Sequence, residues 1–414
     1  MKINQSSLKF KSILGLWLVG STLWASGGTG GFDAGKMIFD HVLDAHEIHF
    51  LTLNEGTPQE KHISLPLPVI VYSKEHGLDM FWSSAFHSGG HHAAAEENHP
   101  VEAVHGAEEH AGQMAPLSDP SHGVASSHHN SLPEGAHAYG PYILYKNTIY
   151  LAENGGLVLD PQGNVLNKKP LDFSITKTVA GIFLAFFILL FLFISTARAY
   201  QKRGVAAPKG LQSVLEPLVL FIRDEVAKPS IGPGYQKFMP YLLTVFFFIL
   251  ICNLLGLIPF IGGFNITGNI AVTLTLAAFT FLITSFNGNA AYWSHIFWPH
   301  GVPKWLYPLL IPIEIMGMLN KPLVLMLRLF ANITAGHIII LSFVGLIFIF
   351  ASIFGPAVGY GTSLLSMVFA LFMNTLELLV AFLQAYVFTL LSALYFGQAV
   401  EEPHHPAEAH AQTH

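Results

Sequence analysis

An arginine stands inside an apolar run: Arg328, within Pro322 to Thr334 (PLVLMLRLFANIT), is flanked by Leu327 and Leu329. A charge held there against hydrocarbon costs about 3 kcal/mol on insertion scales, so it requires a partner or a water-filled cavity. Asn332 follows four residues later on the same helical face. Glu314 stands fourteen residues earlier, within about 40° of that face if one helix runs through both. Lys321 falls nearer the inner boundary. His337, nine residues after Arg328, points to the opposite side about 13 Å further along the axis and needs a different neighbour. The last apolar run supplies one, because its Glu377 and Gln384 share a face about 10 Å apart in height. If Gln384 lies level with Arg328 on an antiparallel helix, Glu377 reaches the depth of His337. A Glu and a His at one depth can pass a proton, since mutual attraction favours their charged forms and burial their neutral ones. A structural pair joining two helices is the plainer alternative. Asn253, Asn269, Thr273 and Thr275 are weaker candidates for lining an aqueous path, and each also suits helix packing. Arginine keeps its proton, so Arg328 itself reads as a fixed charge rather than a carrier.

Such residues require membrane helices to hold them. Of the 414 residues, 11% are charged and 52% hydrophobic, against about 25% charged in a soluble domain. Mean hydropathy is +0.48. From Phe238 to Val400 the only Asp, Glu, Lys or Arg side chains are Lys304, Glu314, Lys321, Arg328 and Glu377, so this stretch lies in lipid or against apolar helices. The fold class is an all-α polytopic membrane protein with about five transmembrane helices and an N-terminal polar region. No basic patch suggests nucleic acid. The lone Cys252 reads as a small buried hydrophobe, and the spacing of polar residues calls for no cofactor and no metal.

The chain divides into a signal peptide over 1–26, an extracytoplasmic region over 27–170, a membrane domain over 171–400 and a polar tail over 401–414. Lys2, Lys9 and Lys11 precede the apolar run Ile13 to Ala25, and small residues follow, the pattern of an export signal. An uncleaved anchor is the alternative. Phe32 to Phe50 suggests a short amphipathic helix, and Ile63 to Tyr72 and Tyr142 to Tyr150 alternate like strands. Between them, 87–138 is a low-complexity insert with ten histidines. Imidazoles can gather zinc, but no fixed ligand spacing repeats here, so a solvated linker is the plainer reading.

Thr178 to Thr196 is long enough to span and is followed by Arg198, Lys202, Arg203 and Lys209, which mark the cytoplasmic side. Gly210 to Lys228 suits an interfacial helix on that side. Phe238 to Pro259 spans outward and Ile270 to Ala291 spans back. Trp305 to Phe350 would make about 69 Å of helix against a core of about 30 Å. Pro308, Pro312 and Pro322 predict short helical pieces leading into one strongly tilted helix. Gly361 to Gln398 should tilt with it, and five spans leave the tail in the cytoplasm.

With these residues in place, the sequence resembles the a subunit of F-type ATP synthases over roughly 171–400. The most specific block is Leu319 to Gly336 (LNKPLVLMLRLFANITAG), supported by Pro240 to Pro259, Gly268 to Leu276 (GNIAVTLTL) and Leu383 to Phe388 (LQAYVF). The resemblance implies a non-catalytic channel subunit of a rotary complex in a bacterial inner membrane. It implies a tilted helical hairpin packed on a ring of c subunits, with b subunits and the other ATP synthase subunits as further partners. Arg328 would hold the passing ring carboxylate ionised and block leakage between two half-channels. Asn332 and Gln384 would line its surroundings, His337 and Glu377 the outer half-channel, and Glu314 the inner one. This sequence departs from many bacterial members in two respects. The residues at His337 and Glu377 are exchanged, and an acidic site after Asn253 is occupied by Gly256. A metal or small-ion carrier whose histidine-rich segment gathers zinc is the alternative function, but such a carrier should avoid an arginine in its path.

Overall fold

The computed structural model describes residues 43–53, 61–88, 132–133, 135–153, 155–160, 162–203, 209–258, 264–298 and 303–401. The export signal, nearly all of the histidine-rich insert and the tail beyond Glu401 lie outside the described residues. The chain separates into two compact units, one of 1–65 with 175–414 and one of 66–174. The described residues up to Leu65 therefore go with the helices rather than with the rest of the polar region.

The smaller unit is built on short antiparallel sheets. Two strands, β1 (Glu47–Leu53) and β2 (Lys61–Pro66), precede it and pair with each other. Within it, β3 (Pro68–Ser73) pairs with β4 (Gly77–Trp82), and a short helix α1 (Ser84–Ser88) follows. The strands β5 (His137–Tyr139), β6 (Tyr142–Tyr145) and β7 (Thr148–Leu151) form a meander, and β8 (Leu171–Asp172) returns to β3. Alternation along β3 buries Val69 and Val71 against Phe86, Tyr142 and Ile149, the one-sided pattern of a sheet with one wet face. The Tyr142 hydroxyl donates to Asp79 Oδ2 at 2.5 Å.

Two expectations are corrected here. Tyr142 to Tyr150 is a hairpin and not one strand, because Lys146 and Asn147 take φ of 48° and 57°, the left-handed pair that reverses a two-residue turn. The end of the expected helix Phe32 to Phe50 is strand β1 from Glu47 onward, where Ile48 is buried between the half-buried Glu47 and His49. Residues 43–46 before it are not helical either, and 32–42 lie outside the described residues.

Among the described residues, five helices of the larger unit are long and apolar enough to cross a membrane. They are α2 (Lys177–Arg203), α5 (Met239–Gly256), α6 (Ile270–Asn287), α8 (Tyr307–Phe354) and α9 (Pro356–Val400). Between α2 and α5, α3 (Leu211–Phe221) runs through a wide-turn segment, Ile222–Ala227, into α4 (Lys228–Ile231). This region buries Leu215, Ile222, Val226 and Ala227 in the same apolar core as α5, α8 and α9. Its polar face carries Arg223, Asp224 and Lys228. Arg223 pairs with Asp224 at 2.8 Å, and Lys228 donates to it at 2.6 Å. These bonds hold the Asp224 carboxyl below the usual carboxylate range.

Helix starts follow local chemistry. Asn269 caps α6 by accepting the Ala271 amide at 2.9 Å, and Asn289 caps the short α7 (Ala290–Phe297) by accepting from Tyr292 at 2.8 Å, as Asn does at helix starts. Asn289 also donates to the Ala399 and Glu401 carbonyls, which ties the α6–α7 corner to the end of α9.

The helix α8 is continuous for 48 residues and α9 for 45. The expected break at the prolines is not there: Pro312 and Pro322 lie inside α8. Proline removes one hydrogen bond and crowds the carbonyl four residues back, but the bonds on either side persist where hydrocarbon offers no competing partner. At 1.5 Å per residue, α8 is about 72 Å long, more than twice a bilayer core of about 30 Å, so it cannot stand upright in one. Gly355 alone joins the two long helices, at φ 90°, a conformation that favours glycine. Near the far end of α9, a Cβ on Gly397 would fall on the Ser230 carbonyl of α4. Gly397→Ala is therefore expected to lower stability by about 1–3 kcal/mol, read as earlier thermal aggregation of the solubilised complex; an unchanged profile would mean that the backbones are not in contact.

Candidate functional site

The long helices put the polar candidates on two different surfaces. Along α8 the buried residues are Leu325, Met326, Leu329, Ile333 and Gly345, and the first four form a stripe at helical spacing within the apolar core. Arg328, Asn332 and Ala335 lie off that stripe and are exposed, with Leu327 and Ala331 beside them. No hydrogen bond or ion pair engages the Arg328 guanidinium among the described residues. An arginine at mid-span that its own chain leaves unsatisfied requires a polar partner from outside the chain or water.

Glu314 is half-buried, and Lys321 is half-buried about two turns before Arg328. Lys321 is committed within the hairpin: it donates to Gln398 Oε1 at 2.8 Å and lies over the Tyr395 ring at 5.3 Å. Gln384 is buried at 8% exposure, on the inward side of α9, and no hydrogen bond joins it to Arg328. The two share the hairpin without that bond.

His337 and Glu377 do meet. His337 Nδ1 is 3.6 Å from Glu377 Oε1, with side chains 17% and 5% exposed. That separation is just beyond a hydrogen bond, and a small rotamer shift or one bridging water would close it. Both carboxylate oxygens of Glu377 are buried and have no hydrogen-bond partner among the described residues, which is costly unless a mobile donor visits them. Two glycines make room for the pair. A Cβ on Gly336 would lie 2.9 Å from Glu377 Oε1, and one on Gly256 would lie 3.3 Å from His337 Nε2. Gly256, the position where the resemblance would place an acid, thus faces the imidazole directly.

Asn253 is placed differently from an open channel residue. Its Nδ2 donates to the Ala381 carbonyl at 3.1 Å, and its Oδ1 accepts from Thr267 at 2.6 Å, so both ends of the amide are spent on joining α5, α9 and the turn before α6. Thr273 and Thr275 donate to carbonyls of their own helix, at Ile270 and Ala271. Asn269 is a helix cap.

Sequence reasoning passes over Gly336 and Lys177. The signal for Gly336 is a small residue next to His337 that lets two long helices approach. The signal for Lys177 is a cation at the start of the first span, on the end opposite to the Arg198, Lys202 and Arg203 cluster, against the usual charge bias.

Comparison with known proteins yields one family over the helices. The model of the ATP synthase A chain family matches residues 179–397, and a domain of unknown function matches 37–115. ATP synthase subunit a of Chloroherpeton thalassium is 47% identical over 243 residues, covering 58% of this chain and 70% of that protein. ATP synthase subunit a 2 of Chlorobaculum tepidum is 49% identical over 277 residues, with 64% and 73% covered. ATP synthase subunit a of Myxococcus xanthus is 44% identical over 245 residues, with 57% and 76% covered.

Proposed function

This chain belongs to the ATP synthase A chain family, and from that premise we propose that it is the proton-conducting a subunit of an F-type ATP synthase in a bacterial inner membrane. It supplies two half-channels to a ring of c subunits, each of whose carboxyls takes a proton from one half-channel and releases it to the other. The b subunits and the remaining ATP synthase subunits complete the assembly.

The observation that carries this reading is Arg328, an exposed guanidinium on the long apolar helix α8 that makes no hydrogen bond or ion pair among the described residues. Its missing partner is supplied by a carboxylate that arrives and leaves on another protein. A carboxylate facing the arginine stays ionised and cannot take its proton past that point, so exchange is confined to the two sides. Asn332, one turn away on the same exposed face, offers an amide to the same carboxylate. His337 and Glu377 serve the outer side, where protons approach from outside. Glu314 serves the inner side. Gln384 shapes the interior of the hairpin behind Arg328, and Asn253 holds α5 against α9.

Orientation follows from charge. Arg198, Lys202, Arg203 and Lys209 hold the end of α2 at the cytoplasm, so the N-terminal region lies outside, after an export signal, and the C-terminus lies inside. The membrane potential contributes about 2.3 kcal/mol per charge per 100 mV to each passage. A metal or small-ion carrier is not favoured, because a fixed guanidinium repels the cargo.

Inverted membrane vesicles carrying the whole complex are expected to acidify when given ATP, seen as quenching of a pH-sensitive dye. Vesicles assembled without this chain should hydrolyse ATP and not acidify. Acidification that persists without the chain would overturn the assignment.

A further inference from the structure

The sheet of β4, β3 and β8 is apolar on the side away from its core as well as on the side towards it. Alternation along β4 turns Leu78, Met80 and Trp82 outward, while Asp79 between them accepts from Tyr142 on the core side. The register carries the outward pattern across all three strands. Tyr72 stands opposite Leu78 on one side and Leu171 on the other. Ile70 stands opposite Met80, and its carbonyl accepts from the Phe173 amide at 2.8 Å, which puts Phe173 in the next row of the same face. Leu78, Met80, Trp82, Tyr72, Leu171 and Phe173 are between 42% and 68% exposed. An antiparallel sheet with one wet face places polar side chains there, so a face made of these six calls for a surface that covers it.

The course of the chain indicates which surface that is. Strand β8 ends at Asp172 and α2 begins at Lys177, so only residues 173–176 separate the face from the first membrane helix in the chain. Four residues reach about 14 Å at full extension, and the headgroup layer beside the hydrocarbon is about 5–8 Å deep. The apolar surface also runs on through this connection. Phe173 is its last member on the sheet side, and α2 then carries Phe183, Phe186 and Phe187 exposed on a helix long and apolar enough to cross a membrane. Trp82 and Tyr72 are the residue types that gather at the boundary between headgroups and hydrocarbon. We propose that the outward face of β4, β3 and β8 rests on the lipid surface where α2 enters the bilayer, with Trp82, Met80, Leu78 and Phe173 set among the headgroups. In the orientation proposed above this is the outer leaflet. The docking itself rests on α2 crossing the membrane and not on proton conduction. It holds the unit of 66–174 against the bilayer, where a four-residue tether alone would leave it free to swing.

The test places an environment-sensitive dye on the face and asks what touches it. The full chain, with its sole cysteine removed by Cys252→Ser, is labelled at Met80→Cys or, independently, at Leu78→Cys, and is set in lipid nanodiscs that leave both leaflets open. A third label at Asn164→Cys, in an exposed polar turn, marks full contact with water. At positions 80 and 78 the emission is expected to shift to the blue, to be quenched by phospholipid bearing a nitroxide near its headgroup, and to lose most of the iodide quenching seen at position 164. Iodide quenching equal to that at position 164 would overturn the docking. So would protection from both quenchers, because the cover would then be protein: the histidine-rich segment or a second copy of the chain. Leu78→Glu with Trp82→Glu, added to the Met80→Cys label, changes only exposed side chains and should abolish the nitroxide quenching; undiminished quenching in that variant would equally count against the proposal. Vesicles that fail to acidify remove the proton-path reading and leave each of these outcomes as it is.

Discussion

Arg328→Ala abolishes ATP-driven acidification of vesicles while the complex still assembles, if the exposed guanidinium acts as assigned. The two halves of that expectation come from different observations. Assembly is retained because Arg328 lies off the buried stripe of α8 and makes no hydrogen bond among the described residues, so its loss removes no such contact; exposed substitutions of that kind shift stability by about 0.5 kcal/mol or less. Pumping is lost because a carboxylate at about 4 Å, in a surface of effective dielectric about 20, loses roughly 4 kcal/mol of attraction, about a thousandfold in its ionisation equilibrium. The ring carboxyl then carries its proton straight past, and the gradient is dissipated as a leak. Arg328→Lys separates charge from shape. An ammonium keeps the charge but not the planar fork that meets both carboxylate oxygens, so its pumping should fall between alanine and arginine. Normal coupled pumping in Arg328→Ala, measured per assembled complex, would sink the mechanism.

The helical scaffold was legible because the bilayer imposes it. Lengths of apolar residues against a fixed thickness, with Arg198, Lys202 and Arg203 as a positive flank, point to the same five long apolar helices that stand among the described residues. The class of the hairpin was legible too, since Trp305 to Phe350 is too long for one upright crossing. Its continuity was not, because proline rules are calibrated in water, where a freed carbonyl finds a solvent partner. Inside α8, Pro312 and Pro322 meet no such competitor. The hairpin turn at Lys146 and Asn147 escapes a pattern reading because alternation runs unbroken through Tyr142 to Tyr150, and only the backbone sign change reveals the reversal. Helix arithmetic placed Glu377 at the depth of His337, and the two side chains lie together. That arithmetic starts from the premise that Gln384 lies level with Arg328, which does not show that one faces inward and the other outward, because facing depends on the crossing of two helices and not on spacing in either. Lys177, Gly256 and Gly336 depend on contacts between elements far apart in sequence, which no periodicity encodes.

Exchanging the buried pair tests whether it conducts or merely glues. Either single change, His337→Ala or Glu377→Ala, removes one station and is expected to lower the pumping rate about 100-fold, the order seen when one acid or base group is lost from a proton-transfer step. The double variant His337→Glu with Glu377→His keeps both stations with their identities reversed and should stay well above either single change. The setting favours this outcome. Position 337 faces Gly256, where the absence of a side chain leaves room for a shorter carboxylate to turn, and position 377 faces Gly336, where an imidazole needs the space that a Cβ would fill. The 3.6 Å separation is short enough to be bridged in either arrangement. A pair that only joins helices predicts the opposite order: the alanine variants would tolerate the loss, and the exchange, which disturbs two packed sites at once, would be the most damaging of the three.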